Sequence, residues 1–353
     1  FSHSTILLYL MTPSINKVIT CLVLFITAPS ICKAQNLIVA FYNFENFYDT
    51  TDQANIVDEE FLPGSAKKYS SKVYDLKSSH LANVLYGMGR LEDANGLALL
   101  GIAEIENKIV LQKIVSDPLL QKYHYKYIHF DSKDIRGIDV ALLYNPALFT
   151  PYQYRPYSLT DSVHFNDYAT RDILYVKGKL NNTWVHILVN HWPSRRGGER
   201  KSATKRIWAA TVCKKIIDSI LLRDTAAKFI VMGDFNDNPN NKSMKTLSLR
   251  NPFMEQFQRG LGSMAYKDSW SLFDQILINT AWEDRNSLKT TGNEGITYYK
   301  SIIYKNSTMI ETEGRYRGYP KRTWNGNQFR GGYSDHFPAV LIFKQNSYEI
   351  GLK

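Results

Sequence analysis

Phe229-Ile230-Val231-Met232-Gly233-Asp234-Phe235-Asn236 reads as a short buried strand that ends on an acid and an amide. Four consecutive apolar residues bounded by a glycine fit a strand covered on both faces. Strand side chains alternate with period two, so Asp234 and Asn236 are expected to point the same way, into a cleft at the strand's end. Aimed together, the acid suits holding a water molecule and the amide suits gripping a phosphoryl oxygen.

The same arrangement recurs along the chain. Leu37-Ile38-Val39-Ala40-Phe41-Tyr42 ends on Asn43, the run from Leu97 to Ala103 ends on Glu104, and Val185 to Val189 ends on Asn190 and His191. Two further runs begin on polar groups. Asp274 precedes Gln275-Ile276-Leu277-Ile278, and Ser334-Asp335-His336 precedes the run from Phe337 to Ile342. If neighbouring strands run in opposite directions, the ends of some and the starts of others lie on one rim. Hard oxygen donors with two imidazoles suit Mg²⁺ or Mn²⁺ beside acid and base partners.

Asn43-Phe44-Glu45-Asn46, Ala103-Glu104, Asn190-His191-Trp192, Gly233-Asp234-Phe235-Asn236, Asp274-Gln275 and Ser334-Asp335-His336 together carry a resemblance. The chain resembles the endonuclease/exonuclease/phosphatase superfamily of DNase I-like enzymes, as a secreted bacterial member. The motifs occur in that family's order and span roughly residues 36 to 345. The resemblance implies an α/β (α+β) fold, a four-layer sandwich of two packed, mainly antiparallel β-sheets flanked by helices. It implies metal contact at Glu104, Asn43 and Asp335, with Glu45 as a secondary ligand. It places His336 on the phosphate side, Asp274 as its orienting partner, His191 at the phosphate or leaving oxygen, and Arg171 on phosphate.

Residue chemistry fills in the rest. Asp234 is suited to activate water and Asn236 to stabilise charge growing on a phosphoryl oxygen. Glu106 reads as a second ligand or an exposed acid, and Asp139 as a partner for His191. Arg195, with Arg196 and Arg200 in a glycine-containing loop, suits phosphate or a solvated basic loop. His186 reads as a satisfied core histidine.

No repeat or low-complexity linker divides the 353 residues, so one domain is expected over residues 35–353 after a leader at 1–34. Val18 to Pro29 has the length of a signal-peptide apolar core, Lys17 precedes it, and Cys32-Lys33-Ala34 offers a cleavage site. Met11 reads as the start. Ile31 is too large for the position before a lipidated cysteine, so a lipoprotein is not expected. A secreted or periplasmic protein without a transmembrane anchor follows. Cleavage leaves Cys213 as the single cysteine, which excludes an internal disulfide, and lowers the net charge of +10 by two. A basic balance favours a polyanionic substrate.

Helices fit Val73, Leu76, Leu81, Val84, Leu85 and Met88, and Ile207, Ala210, Cys213, Ile217 and Ile220, each with a core-facing stripe. Residues 281–333 read as a long loop bordering the site. In it Tyr316, Tyr319, Trp324, Phe329 and Tyr333 alternate with Arg315, Arg317, Lys321, Arg322 and Arg330. Such a loop either stacks bases or covers the sandwich. The expected function is a secreted, divalent-metal-dependent phosphoesterase, a nuclease-like phosphodiesterase that cleaves nucleic acid by in-line water attack. The alternatives are a phosphomonoesterase or a lipid or inositol-phosphate phosphoesterase of the same fold, and a non-catalytic phosphate-binding module. No apolar hairpin suits membrane insertion, and no stable protein partner is expected.

Overall fold

The computed structural model describes residues 36–162, 165, 168–282 and 295–345. The expected leader at 1–34 lies outside the described residues. The apolar runs form strands, beginning with β1 (Asn36–Phe47), β2 (Leu97–Ile105), β3 (Lys126–His129), β4 (Asp139–Tyr144) and β5 (Phe149–Asp161). Then come β6 (Tyr168–Leu180), β7 (Thr183–His191), β8 (Phe229–Asp234), β9 (Met264–Tyr266), β10 (Ser269–Ser271) and β11 (Asp274–Ile278). The last are β12 (Ile296–Ile303), β13 (Trp324–Asn325), β14 (Gln328–Phe329) and β15 (Ala339–Gln345). One sheet has the order β12-β15-β1-β2-β4-β3, and the other β11-β8-β7-β6-β5. Among the described residues of these two sheets, only β1 with β2 and β7 with β8 are parallel.

Alternation along each strand builds two cores at once. Leu37, Val39 and Phe41 of β1, Val185, Ile187 and Val189 of β7, and Ile230 and Met232 of β8 meet between the sheets. Ile38, Ala40 and Tyr42 face the other way, onto helices α1 (Ser71–Met88) and α2 (Lys108–Val115). Phe229 and Val231 face helix α3 (Glu199–Leu221), over Ala209, Ala210, Cys213 and Ile217. Short helices α4 (Lys242–Thr246) and α5 (Met254–Gln258) follow β8. The result is the expected four layers: helices, sheet, sheet, helix. Each fully buried aliphatic side chain contributes about 1.5–3 kcal/mol.

The buried stripe of α1 departs from the sequence expectation. Leu76 is 40% exposed, while Lys77 is fully buried beside Leu81, Val84, Leu85 and Met88. The segment 281–333 is not all loop, because β12 pairs along β15 and a small β13–β14 hairpin closes later. Residues 283–294 of that expected loop lie outside the described residues. Cys213 is buried and unbridged. Among the described residues no helix is long and apolar enough to cross a membrane.

Charge fastens α3 to the end of β8. The fully buried Arg206 has Nε 2.8 Å from Asp237 Oδ1 and donates to Ser202 Oγ at 2.8 Å and the Glu199 carbonyl at 3.2 Å. Asp237 also accepts the Ser243 hydroxyl at 2.6 Å. Removing the acid alone strands a buried guanidinium, so Asp237→Ala is expected to cost about 3–5 kcal/mol in urea unfolding. A negligible loss would mean that solvent reaches Arg206.

His186 has the satisfied core position expected of it, with Nδ1 2.8 Å from the Tyr175 hydroxyl. Burial, then Lys177, pushes its pKa down to about 4. A histidine whose folded pKa lies below its unfolded value of ~6.5 loses stability as pH falls between those values. The stability difference between wild type and His186→Phe is therefore expected to move toward the variant from pH 6.5 to pH 4. A difference independent of pH refutes this assignment.

Candidate active site

The rim of the sandwich is the last rung of the inter-sheet core. Asp234 continues the face of Ile230 and Met232, His191 that of Val185, Ile187 and Val189, and Asn43 that of Leu37, Val39 and Phe41. Strand β8 lies between β7 and β11, so Asp234 is registered with His191 on one side and Asp274 on the other. Asn43 Nδ2 donates across the sheets to Asp234 Oδ2 at 3.1 Å. Ser334 pins the segment before β15: its hydroxyl donates to the Asn43 carbonyl at 2.7 Å and accepts the His336 N–H at 3.1 Å.

Glu104 arrives by a different device. Alternation alone would send it with Ile102 toward the helices. Instead the register slips between Ala103 and Ile105, and Glu104 takes the left-handed region at φ 60°. This bulge re-aims the carboxylate to the rim. Its Oε2 accepts the Asn46 N–H at 2.8 Å, and Oε1 lies 3.7 Å from His191 Nε2. Asn236 also departs from strand alternation, because β8 ends at Asp234 and Asn236 lies at φ 51°. Its amide donates to the Trp192 carbonyl at 3.0 Å and its N–H to Asp234 Oδ1 at 2.9 Å. Glu45 and Asn46 are left-handed too, at φ 50° and 52°. Left-handed non-glycine residues cost about 1–3 kcal/mol each, and such strain gathers at functional sites.

The electrostatics separate two protonation states. His336 Nδ1 lies 2.6 Å from Asp274 Oδ2. Burial alone would strip its proton, but Asp274, Asp234 and Asp335 outweigh burial and hold it well above the ordinary imidazole range. Burial pushes Asp234 up to about 7, against the opposing charge of His336 and with Asp274 and Glu104 adding to it. His191 goes the other way: burial, then Arg171 and Arg136, hold it well below its usual range. Its Nε2 stands 3.7 Å from both Glu104 Oε1 and Asp234 Oδ2, and Nδ1 is buried without a partner among the described residues.

Among the described residues, two clusters offer acids and histidines close enough to surround a cation. In Asp234, Asp274 and His336 the Asp274–His336 pair is already joined by a short hydrogen bond, and an imidazolium donates rather than ligates. Glu104 fits a dication better, since its Oε1 accepts no hydrogen bond among the described residues while Oε2 is anchored. Asn43, on the neighbouring strand, is registered with Ala103, and its Oδ1 accepts the Glu45 N–H at 2.8 Å. Hard oxygens of this kind suit Mg²⁺ or Mn²⁺. In the other cluster, His129 Nε2 lies 3.3 Å from Asp139, so Asp139 partners His129 and not His191.

Arg322 stands between two of the expected ligands, 2.7 Å from Asp335 Oδ2 and 3.8 Å from Glu45 Oε1. Asp335 and His336 precede β15 rather than lying on it. Glu45 Oε2 accepts the Thr323 N–H at 2.6 Å. Burial, then Asp335, pushes the Glu45 carboxyl up to about 7. Lys77 donates to the Glu45 carbonyl and, at 3.1 Å, to Thr323 Oγ1; burial lowers its pKa to about 8. Sequence reasoning misses Lys77, although a lysine on the apolar stripe of α1 is the available signal.

Both expected phosphate arginines are engaged within the protein. Arg171, inside β6 and buried, reaches Asp134 at 3.0 Å and the Trp192 carbonyl at 2.7 Å. Arg195 braces the Asn236 carbonyl at 2.9 Å, Glu199 at 2.7 Å and Asp237 at 3.2 Å. Glu106 is a buried loop anchor rather than an exposed acid. It accepts the Asp49 N–H and the Gln53 amide, both at 2.7 Å, and burial pushes it up to about 8.

The sequence profile of the Endonuclease/Exonuclease/phosphatase family matches residues 38–345. No curated protein matches the sequence. Among solved structures, an endonuclease/exonuclease/phosphatase family protein of Bacteroides thetaiotaomicron is similar over 89% of this chain and 96% of its own, at 14% identity and TM-score 0.54. A mannosyl-6-phosphatase of the same species is similar over 87% and 99%, at 15% identity and TM-score 0.53. TDP2 from C. elegans is similar over 88% and 76%, at 13% identity and TM-score 0.53. At these identities the likeness is one of fold. With the profile matched along nearly all of the described chain, the protein belongs to the endonuclease/exonuclease/phosphatase family, enzymes that hydrolyse phosphate esters.

Proposed function

We propose that this chain is a divalent-metal-dependent phosphodiesterase acting on nucleic acid. The observation that carries the chemistry is the buried Asp234 carboxylate, held by Asn43 at 3.1 Å and set among His191, Asp274 and the charged His336. Asp234 holds the attacking water and takes its proton. The His336 imidazolium, oriented by Asp274, and the second N–H of the Asn236 amide stabilise charge on the phosphoryl oxygens. Neutral His191, with Nε2 3.7 Å from both Glu104 and Asp234, serves as a hydrogen-bond donor to the phosphate or the leaving oxygen. Mg²⁺ or Mn²⁺, held by Glu104 and Asn43 with Asp335 and Glu45 nearby, supplies Lewis-acid polarisation of the phosphate when bound.

Support for a polymeric substrate comes from exposed cations near this rim, Arg196 in the loop after β7, Arg200 and Lys201 in the first turn of α3, and Arg317 before β15. The second reading is a small phosphate ester, favoured by the mannosyl-6-phosphatase among the fold's relatives. The leader-like residues 18–34 support export.

Asp234→Ala is expected to lower kcat about 10²- to 10⁴-fold while leaving the unfolding midpoint near wild type. For the pH profile, kcat/KM rises as Asp234 loses its proton, at about pH 7, and falls only when His336 loses its own, well above the ordinary imidazole range. Asp274→Asn removes the nearest charge holding that proton, so the alkaline limb moves down; an unmoved limb removes the His336 cation from the mechanism. On plasmid DNA, single-stranded DNA and RNA, cleavage with Mg²⁺ or Mn²⁺ and none with EDTA is expected. Turnover of bis-p-nitrophenyl phosphate without cleavage of any polymer would leave only the small-ester reading.

A further inference from the structure

Beside these residues a cleft of about 570 Å³ opens between the β9–β10 hairpin and the segment 311–335. It shares a wall with the site, because Asp335 and Arg322 line it and Asp335 Oδ1 lies 3.8 Å from His336 Nε2. The hairpin's position is fixed by the strand that carries Asp274. Ser263 Oγ accepts the N–H groups of Phe273 and Asp274 at 3.2 and 3.1 Å, and the Ser263 carbonyl accepts that of Phe337 at 2.7 Å.

Aromatic rings form the floor and rim. Tyr319 is locked, its hydroxyl donating to Asp268 Oδ1 and accepting the Asp268 N–H, both at 2.8 Å. Tyr316 packs against Tyr319 at 5.5 Å yet is 54% exposed, and Tyr266 across the cleft is 66% exposed. The other aromatics of the segment are taken up by packing: Trp324 is buried against Phe329, and Tyr333 stacks on His80.

Charge distinguishes the cleft from the cationic rim. Arg315 pairs with Asp268 at 3.4 Å and Arg322 with Asp335 at 2.7 Å. The remaining Lys267 and Arg330 are balanced by Glu311 and Glu313. A cleft whose charges cancel does not attract a phosphate, but the exposed rings of Tyr316 and of Tyr266, which has Lys267 Nζ over it at 5.4 Å from the ring centre, stack a flat neutral ring, and carboxylates accept its amino hydrogens.

We propose that this cleft is the subsite for the base of the nucleotide adjoining the scissile phosphate, so the substrate is a single strand or an unpaired end. The inference rests on the nucleic-acid reading above. Its test compares two single-stranded DNA oligonucleotides with the same phosphate chain, one with bases and one with abasic tetrahydrofuran units. Equilibrium binding is measured in EDTA and cleavage in Mg²⁺, for wild type, Tyr316→Ala and Tyr266→Ala; both side chains are exposed, so folding is unaffected. Wild type is expected to bind the base-containing strand roughly 5- to 100-fold tighter than the abasic one, and Tyr316→Ala to erase most of that ratio. Equal binding of both strands, or a ratio unchanged in both variants, overturns the subsite. So does displacement of the oligonucleotide by a hexose phosphate in preference to a nucleotide. Cleavage of both strands without discrimination sinks the subsite alone, whereas discrimination in EDTA with no cleavage in Mg²⁺ sinks the nuclease reading and with it the link to a scissile phosphate, leaving only a base-binding cleft.

Discussion

The arrangement depends on keeping several carboxylates ionisable in a place with little water. Glu45, Asp234 and Asp274 are almost wholly buried at one rim, with Glu104 close by. Isolated buried carboxylates would take up protons. Here compensation is unequal. Asp274 is answered directly by the His336 cation, while Asp234 and Glu45 receive only part of what burial removes and sit near neutrality. That inequality separates a carboxylate that fixes an imidazole from one able to accept a proton from water, although both lie on paired strands.

Lys77 and Arg322 belong to the same balance of charge. Lys77 enters from the helix layer, and Arg322 from the segment before β15. Both meet Glu45, Lys77 at its carbonyl and Arg322 near its carboxylate. Left-handed backbone gathers at the same rim, in Glu45, Asn46, Glu104 and Asn236, and at Glu104 it turns the side chain against the direction its strand prescribes. The surrounding sandwich, with its three apolar layers, supplies the stability that tolerates it.

Much of this is legible in the sequence, and the reason is periodicity. Apolar runs ending on Asn43, His191 and Asp234 place those residues on the inter-sheet face by counting in twos, and Asp274 follows from antiparallel pairing. Glu104 is found by its position in a motif, but the bulge that aims it leaves no trace in a pattern of alternating hydrophobicity. The arginines illustrate a second limit. Arg171 and Arg195 carry the right charge for phosphate, yet their partners Asp134, Asp237 and the Trp192 carbonyl lie far away in sequence or on the main chain. Strand β12 is hidden because only Ile296 is buried and Thr297, Lys300 and Ser301 interrupt its aromatic and aliphatic residues.

The groups that aim the side chains of this rim are largely main-chain atoms. Glu104 is held by the Asn46 N–H, Asn236 by the Trp192 carbonyl, Glu45 by the Thr323 N–H, and the Ser334 hydroxyl by the Asn43 carbonyl. An amide or carbonyl keeps its hydrogen-bonding character whatever side chain is attached. Loops around this rim are therefore free to exchange almost every side chain, and with it the molecule they admit, while the hydrolytic machinery stays registered to a path of backbone that selection need only keep in shape.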